Sequence, residues 1–377
     1  MKDIKNMKKI TLIHYDMVFG GVEKVLLNLL KNLDRQKFKI RLILFEKRGE
    51  LLSELPEDIE IIFLNKKDSS NKKNILEKII KTIKNTIDYK KQLKKILINK
   101  NDILLILNLR YWIINLSILN LKNKKIGWVH GNILNDYGNI LEKLNYRLFS
   151  QYNLIYNVSK EGEKDFNNKF ENLKNKSKYL YNSLDITKIL KLSKEEIDVK
   201  ENYIVAVGRL STYDKGYDIL IEAISLLKKE GIEKKLYIIG DGEEREKLEE
   251  EIKRLKLEKN IIIKGFDKNP YKWMKNAELF VLSSRGEGLP TVLIEALACE
   301  TPIVSTDCKC GPSEILNNGE YGVLVSVENS EALKEGIKKI LLNEKLKKEL
   351  KEKSLKRALD FSNEKIIKQL ENQILEL

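Results

Sequence analysis

Proline and cysteine are both scarce in this 377-residue chain, which has five of the first and three of the second. So few prolines, and no serine-glycine tract, leave no place for a long disordered linker. Cys299, Cys308 and Cys310 lack a second pair, which argues against a disulfide framework or a four-ligand zinc site and for a reducing, cytoplasmic setting. No two aspartates stand two residues apart, so an Asp-x-Asp pair for a divalent ion is missing. Aromatic residues make up 7% of the chain and do not interleave with basic ones, which gives no stacking platform for nucleic acid. No secretion signal is read, because the apolar run after Lys9 is short and leads into a glycine turn at Gly20. One apolar stretch, residues 103–121, approaches the length of a membrane span, but Arg110 sits at its middle with Asn108 and Asn115. A charge at the bilayer centre costs at least about 2.5 kcal/mol, so this stretch reads as a buried strand followed by an amphipathic helix.

What is present suits a soluble protein of two domains, with 42% hydrophobic and 33% charged residues. Its charge is unevenly placed. Residues 1–190 hold 37 Lys plus Arg against 21 Asp plus Glu, and the remainder holds 33 against 35. The densest basic region runs over residues 71–100, where Leu76, Ile79, Ile80, Ile83 and Ile87 recur at helical spacing between lysines. Such a helix could lie on an anionic membrane surface, or pack on its domain with its lysines in water.

The motifs concentrate in the second half. SRGEGLPTVLIEALACETPIVSTD sets Glu287 and Glu295 eight residues apart, with Gly286, Gly288 and Pro290 making a loop ahead of the helix TVLIEALACE. Pro290 is expected in the first turn of that helix, Glu287 in the loop, and Glu295 one to two turns in. A helix start after glycines offers free N–H groups and a positive dipole end, a natural seat for phosphate. Upstream, YIVAVGRLSTYDKGYDILIEAISLL reads as strand, turn at Gly208 and helix, with Arg209 and Lys215 flanking the turn. KKLYIIGDGEEREKL repeats that pattern around Gly240, Asp241 and Gly242. Turns of this kind at strand ends build the crevice where open α/β sheets bind ligands, and two cations there suit a diphosphate.

The order GGVEKVLLNLL, VGRL with KGYDILIEA, IIGDGEE and EGLPTVLIEALACETPIVSTD resembles the family 4 glycosyltransferases, which are retaining, use nucleotide sugars and have the GT-B fold. The resemblance implies that Glu287 binds donor-sugar hydroxyls and Glu295 the ribose hydroxyls. It implies that Arg209 and Lys215 clamp the diphosphate without a metal, so that no cofactor is needed beyond the nucleotide-sugar donor, UDP-linked by preference. Backbone N–H groups of Gly288, Leu289, Thr291 and Val292, on either side of Pro290, would meet the phosphates. Gly20 and Gly21 would let the other domain's backbone approach them. The turns at Gly208, Gly240, Gly265 and Phe266 would border the nucleotide, the last two near the base. His130, in KKIGWVHGNI, stands where family members often place a histidine against the donor sugar, although a lone histidine is also a common structural residue. His14, inside the first strand, reads as structural. Ser159 reads as a helix cap, placed with Asn157 after the last strand of the first domain, and Glu314 either caps the helix begun at Pro312 or nears the cleft.

The expected architecture is two Rossmann-like α/β domains facing each other across a cleft. Residues 1–184 would take the acceptor, residues 185–360 the nucleotide sugar, and the helical tail 361–377 would return to the first domain. Expected strands are ITLIHY, KIRLILF, IEIIFL, DILLIL, KIGWVH and LIYNVS, then YIVAVGR, KLYIIG, NIIIKGF, LFVLSS, PIVST and GVLVS. A dinucleotide-dependent oxidoreductase would need a third glycine, which GDGEER lacks. Nucleic-acid binding would account for the charge but not for Glu287 and Glu295. A non-catalytic sugar-nucleotide binder of the same fold is the alternative to an enzyme. DCKCGPSEIL resembles members that build bacterial surface polysaccharides such as capsule or lipopolysaccharide. A basic acceptor domain then favours a glycan or polyprenyl-linked acceptor, and a peripheral place on the inner face of the cytoplasmic membrane.

Overall fold

The computed structural model describes residues 7–65, 74–131, 138–210 and 213–377, without the side chains of residues 75, 76, 78, 79 and 138–142. The chain folds into two compact units, Met1–Ser183 with Ile366–Leu377, and Leu184–Lys365.

The first unit is built on a seven-stranded sheet. Its strands are β1 (Lys8–His14), β2 (Phe38–Leu44), β3 (Glu60–Phe63), β4 (Ile103–Ile106), β5 (Lys125–Val129), β6 (Leu154–Asn157) and β7 (Ser177–Tyr179). They lie in the order β3-β2-β1-β4-β5-β6-β7 with every pairing parallel. Parallel neighbours need crossover connections, and helices on both faces explain why runs such as ILLI in β4 are apolar at every position. The expected six strands are all present. β7 is an addition, so β6, which holds Asn157, is not the last strand of its sheet. That residue ends β6 and donates through Nδ2 to Ser177 Oγ at 2.9 Å, tying β6 to β7. Ser159 is a cap, its Oγ accepting the Gly162 N–H at 3.2 Å at the start of the helix Lys160–Lys169.

Over residues 103–121 the chain forms β4 and then the short helix Trp112–Ser117. Buried Asn115 donates to the carbonyl of Leu109 at 2.8 Å, which satisfies a polar group that a membrane span would strand. Among the described residues no helix is long and apolar enough to cross a membrane.

The second unit carries a six-stranded parallel sheet. It comprises β8 (Tyr203–Val207), β9 (Lys235–Ile239), β10 (Ile261–Gly265), β11 (Leu279–Leu282), β12 (Ile303–Thr306) and β13 (Val323–Val325), in the order β10-β9-β8-β11-β12-β13. Its core joins Ile204, Leu236, Ile238, Leu279 and Val281 of the sheet to Leu220, Ile224 and Leu227 on the helix Tyr217–Lys229 and to Leu333 and Ile337 on Ser330–Leu341. Fully burying each such side chain is worth about 1.5 to 3 kcal/mol.

The closing helix, Asn363–Glu376, belongs to the first unit from Ile366 on. Lys8 Nζ donates to its last-turn carbonyls of Ile374 and Leu375 at 3.1 and 2.7 Å, a cation placed at the negative end of the helix. Glu371 accepts from the Asp34 N–H at 2.8 Å and pairs with Lys37 at 2.8 Å, and Tyr156 Oη donates to Gln373.

Candidate active site

Strand order reverses direction between β8 and β11 in the second unit and between β1 and β4 in the first. At such a switch point the loops at the carboxyl ends diverge and leave a crevice.

In the second unit that crevice is floored by three turns. Gly208 donates to the carbonyl of Ile239 at 3.1 Å and Gly240 to that of Gly265 at 2.9 Å, so the ends of β8, β9 and β10 are laced side by side. A Cβ on Gly240 would stand 1.8 Å from the Gly208 carbonyl oxygen, so nothing larger than glycine fits. Arg209 follows this floor with an exposed side chain, and Phe266, next to Gly265, is 53% exposed. The residue standing where a dinucleotide fingerprint has its third glycine is Arg245, which starts the helix Arg245–Arg254 and pairs with Asp241 at 3.1 Å and Glu249 at 2.8 Å.

Across the switch point, the loop after β11 brings Glu287 to Lys215. The ammonium lies 2.8 Å from Glu287 Oε1, and Ser284 Oγ donates to the same oxygen at 2.7 Å. Both partners are partly reachable from solvent, the lysine side chain at 28% and the glutamate at 12% exposure. The two loops are joined at several further points. Ser283 Oγ donates to the Lys215 carbonyl at 3.0 Å, and the Arg285 N–H to that of Asp214 at 2.6 Å. Gly216 is left-handed at φ 62°, and a Cβ there would lie 2.1 Å from the Ser283 carbonyl oxygen. Arg285 grips Asp218 with both terminal nitrogens at 2.9 and 2.6 Å, reaches Glu328 at 2.8 Å and stacks 3.5 Å from the Tyr213 ring. Such planar two-point recognition is what a guanidinium supplies and an ammonium does not.

The helix after this loop is Thr291–Ala298, and Pro290 occupies the capping position rather than the first turn, one residue earlier than expected. No side chain among the described residues caps it, which leaves the N–H groups of its first turn, Thr291 and Val292, for another acceptor. Leu289 and Pro290 are buried and Gly288 half-buried, which fixes the backbone beneath that helix start. Glu295 lies in the helix, 5% exposed, with a carboxylate close enough to Tyr271 to be the largest influence raising that phenol's pKa. Burial and then the same carboxylate push the Cys299 thiol up to about 12. Burial, then the charge of Glu287, raises Cys308 to about 12, which places that thiol beside the loop as an inert group.

The first unit's crevice is different. His14, at the end of β1, bonds Glu23 Oε1 through Nε2 at 2.8 Å, both residues being buried. Gly20 caps the helix Gly21–Asn32 without a side chain, and a Cβ on Gly21 would meet no atom within 4 Å. His130 follows β5 with its ring hydrogen-bonded to the backbone of Leu107, and its buried Nε2 has no partner among the described residues. Burial and the neighbouring His14 lower its pKa to about 3, so the ring is neutral at physiological pH.

Glu23, Ser284, Tyr217 and Arg285 were not singled out from the sequence. Tyr217 is placed by two signs: a Cβ on Gly208 would meet its hydroxyl at 2.8 Å, and the charge of Glu287 raises its pKa after burial. The KGYD and SRGEG motifs held Tyr217, Ser284 and Arg285, but the pairings of Arg285 with Asp218 and of Lys215 with Glu287, across 67 and 72 positions, leave no local trace. Glu314 lies in the short helix Pro312–Ile315, its carbonyl accepting from Arg357 at 2.5 Å.

Comparison with known proteins identifies the family. The family described as Glycosyl transferases group 1 matches residues 188–357. An N-acetylgalactosamine-N,N'-diacetylbacillosaminyl-diphospho-undecaprenol 4-alpha-N-acetylgalactosaminyltransferase of Campylobacter jejuni is 33% identical over 368 residues, 96% of this chain and 97% of that one. Among solved structures, a TarM variant of S. aureus in complex with fondaparinux, alpha-GlcNAc-glycerol and UDP superposes with a TM-score of 0.77 at 17% identity, covering 98% of this chain and 100% of that one. HepE of Anabaena in complex with UDP gives 0.77 at 19%, with coverage of 98% and 100%. Identity this low carries the fold alone, whereas the near full-length match to the Campylobacter enzyme carries the family. The chain therefore belongs to the group 1 glycosyltransferases and has their GT-B fold of two parallel-sheet α/β domains.

Proposed function

We propose that this glycosyltransferase moves an N-acetylhexosamine or hexose from a UDP-sugar to a lipid-linked glycan during cell-surface polysaccharide assembly, with retention at the anomeric carbon and without a metal. The observation that carries the reading is the Lys215–Glu287 contact at the β8/β11 switch point, between the Gly208–Arg209 turn and the open start of helix Thr291–Ala298. A diphosphate seated there meets two cations and a positive helix end, and each charge-assisted hydrogen bond to it is worth about 1.5 to 3 kcal/mol. Its arrival draws the Lys215 ammonium onto phosphate and leaves Glu287, still held by Ser284, to accept from donor-sugar hydroxyls. Glu295 takes the ribose hydroxyls, and Gly265 and Phe266 border the base.

From the first unit we assign Gly20 and Gly21 to close approach of backbone to phosphate, and neutral His130 to the donor sugar, its Nε2 accepting a hydrogen bond from a sugar hydroxyl. As the glycosidic C–O bond breaks, charge builds on the diphosphate, and Arg209 and Lys215 stabilise it in place. The acceptor hydroxyl attacks from the face the leaving group vacates and passes its proton to the departing phosphate oxygen, so no protein base is required. The diphospho-undecaprenol named for the Campylobacter relative supports the lipid-linked acceptor, its N-acetylgalactosaminyl group favours an N-acetylhexosamine, and UDP in the TarM and HepE complexes supports the nucleotide. Such chemistry belongs on the cytoplasmic side, where nucleotide sugars are made.

The test is transfer from UDP-N-acetylgalactosamine, UDP-N-acetylglucosamine and UDP-glucose to an undecaprenyl-diphosphate glycan in the presence of a chelator, with the product anomer read by NMR. An α-linked product with one donor is expected. A β-linked product, or transfer only after a divalent ion is restored, contradicts the mechanism. UDP binding without transfer to any glycan marks a non-catalytic binder.

A further inference from the structure

The basic helix Ile75–Ile96 of the first unit packs by one side only. Asn85, Tyr89 and Leu93, four residues apart, are buried; the Tyr89 ring lies 4.6 Å from that of Phe45, and Gln92 exchanges hydrogen bonds with the Asn65 backbone at 2.9 and 2.8 Å. With 3.6 residues per turn, Ile83 and Ile87 stand about 160° and 200° round from Asn85, on the far side, with Ile80 beside them. Their exposures are 44% for Ile80, 55% for Ile83 and 48% for Ile87, and Ile98, just past the helix end, reaches 78%. Isoleucines at i, i+3 and i+7 lie in line along one side of the helix and form a ridge. Lys84, Lys91 and Lys95 border it on one flank, Lys90 on the other, and Lys94 continues its line. Among the described residues none of these five lysines makes an ion pair or side-chain hydrogen bond. The helix's two acids, Glu77 and Asp88, stand off the ridge, at the outer edge of the flank that carries Lys84, Lys91 and Lys95.

Isolated exposed isoleucines need no explanation, whereas a ridge opposite the packed face, edged by unpaired lysines, does. The composition selects the occupant. Protein interfaces are depleted in lysine and enriched in aromatic residues and arginine, and this ridge has neither of the latter. Lysines whose stems lie along an apolar surface while their heads reach outward are the pattern of a helix lying in a lipid interface. We propose that Ile80, Ile83 and Ile87 insert at the surface of an anionic bilayer while the flanking lysines engage lipid phosphates. The surface is independent of which sugar the enzyme moves, and it would hold the first unit at the plane where a lipid-linked acceptor lies.

The experiment is flotation of the full chain with vesicles of phosphatidylcholine, with and without phosphatidylglycerol, at low and high salt and with no sugar nucleotide. Binding is expected only with phosphatidylglycerol, weakening as salt screens the lysines. An Ile80→Ser, Ile83→Ser, Ile87→Ser variant should lose binding by at least about tenfold, and a Lys84→Glu, Lys91→Glu, Lys94→Glu variant by a similar factor. Both should keep the wild-type melting temperature and UDP affinity, since these side chains are exposed and take no part in the donor site. Equal flotation of the isoleucine variant, equal binding to neutral vesicles, or a dimer in sedimentation that the same variant dissolves would each overturn the proposal. Loss of flotation with UDP binding intact separates this surface from the donor site, so either can fail without the other.

Discussion

The two switch points are built on the same strand logic yet are filled with opposite chemistry. At β8/β11 the polar groups are ion pairs partly open to solvent and formed between loops: Lys215 on Glu287 and Arg285 on Asp218. At β1/β4 they are turned inward: buried His14 on Glu23, and a neutral His130 whose buried Nε2 has no partner among the described residues. The glycines divide in the same way. Gly216 and Gly240 are glycine because the protein's own backbone lies against them, whereas Gly21 faces open space. One crevice is arranged to meet charge, and the other leaves room and a hydrogen-bond acceptor.

That contrast can be broken most forcefully in the second unit. Arg209→Ala and Lys215→Ala should each lower kcat by about 10²–10³, as loss of a preorganised charge-stabilising group does, and initial rates at saturating donor measure it. His130→Ala should cost no more than about tenfold; a larger loss would move the chemistry into the first unit. Glu295→Ala should weaken UDP about tenfold or more by calorimetry, the worth of one charge-assisted bond, with kcat less affected. Gly216→Ala should cost about 1 to 3 kcal/mol of folding stability in urea melts, because its left-handed backbone and the Ser283 carbonyl both oppose a methyl group. Gly21→Ala should stay within about 0.5 kcal/mol while raising the donor KM, which separates a glycine kept for a ligand from one kept for the fold. A separate readout is the pH response of His130. Its folded pKa is depressed to about 3, so the neutral ring favours folding above the ordinary histidine pKa and that contribution is lost as pH falls from about 6.5 toward 3. Urea midpoints across this window should decline less for His130→Asn than for wild type.

The sheets were legible because strands buried on both faces are continuous apolar runs: KIRLILF, DILLIL and YIVAV each became a strand where they stood. β7 escaped because SKY is short and polar and earns its pairing only from β6 beside it. The Glu295 helix was legible from EGLP and the apolar run after it, with Pro290 misplaced by one residue because proline serves at the cap as well as in the first turn. What stayed hidden are contacts made by folding alone. The Lys215–Glu287 pair and the Arg285 grip depend on β8 and β11 becoming neighbours, and His14 gained its partner only when Glu23 turned under it. Likewise the isoleucines of the basic helix had the same period whether they faced core or solvent. Only the burial of Asn85, Tyr89 and Leu93 decides between those faces; the side chains of Leu76 and Ile79 lie outside the described residues.

The central claim is that a nucleoside diphosphate sits at the β8/β11 crevice on Arg209, Lys215 and Glu295. Calorimetric titration of the full chain with UDP, GDP, ADP and NAD in the presence of a chelator, repeated with Arg209→Ala, tests it most directly. Selective UDP binding that the substitution weakens by about tenfold or more is the result predicted. UDP binding of equal strength in the two proteins, or none without a divalent ion, would contradict it.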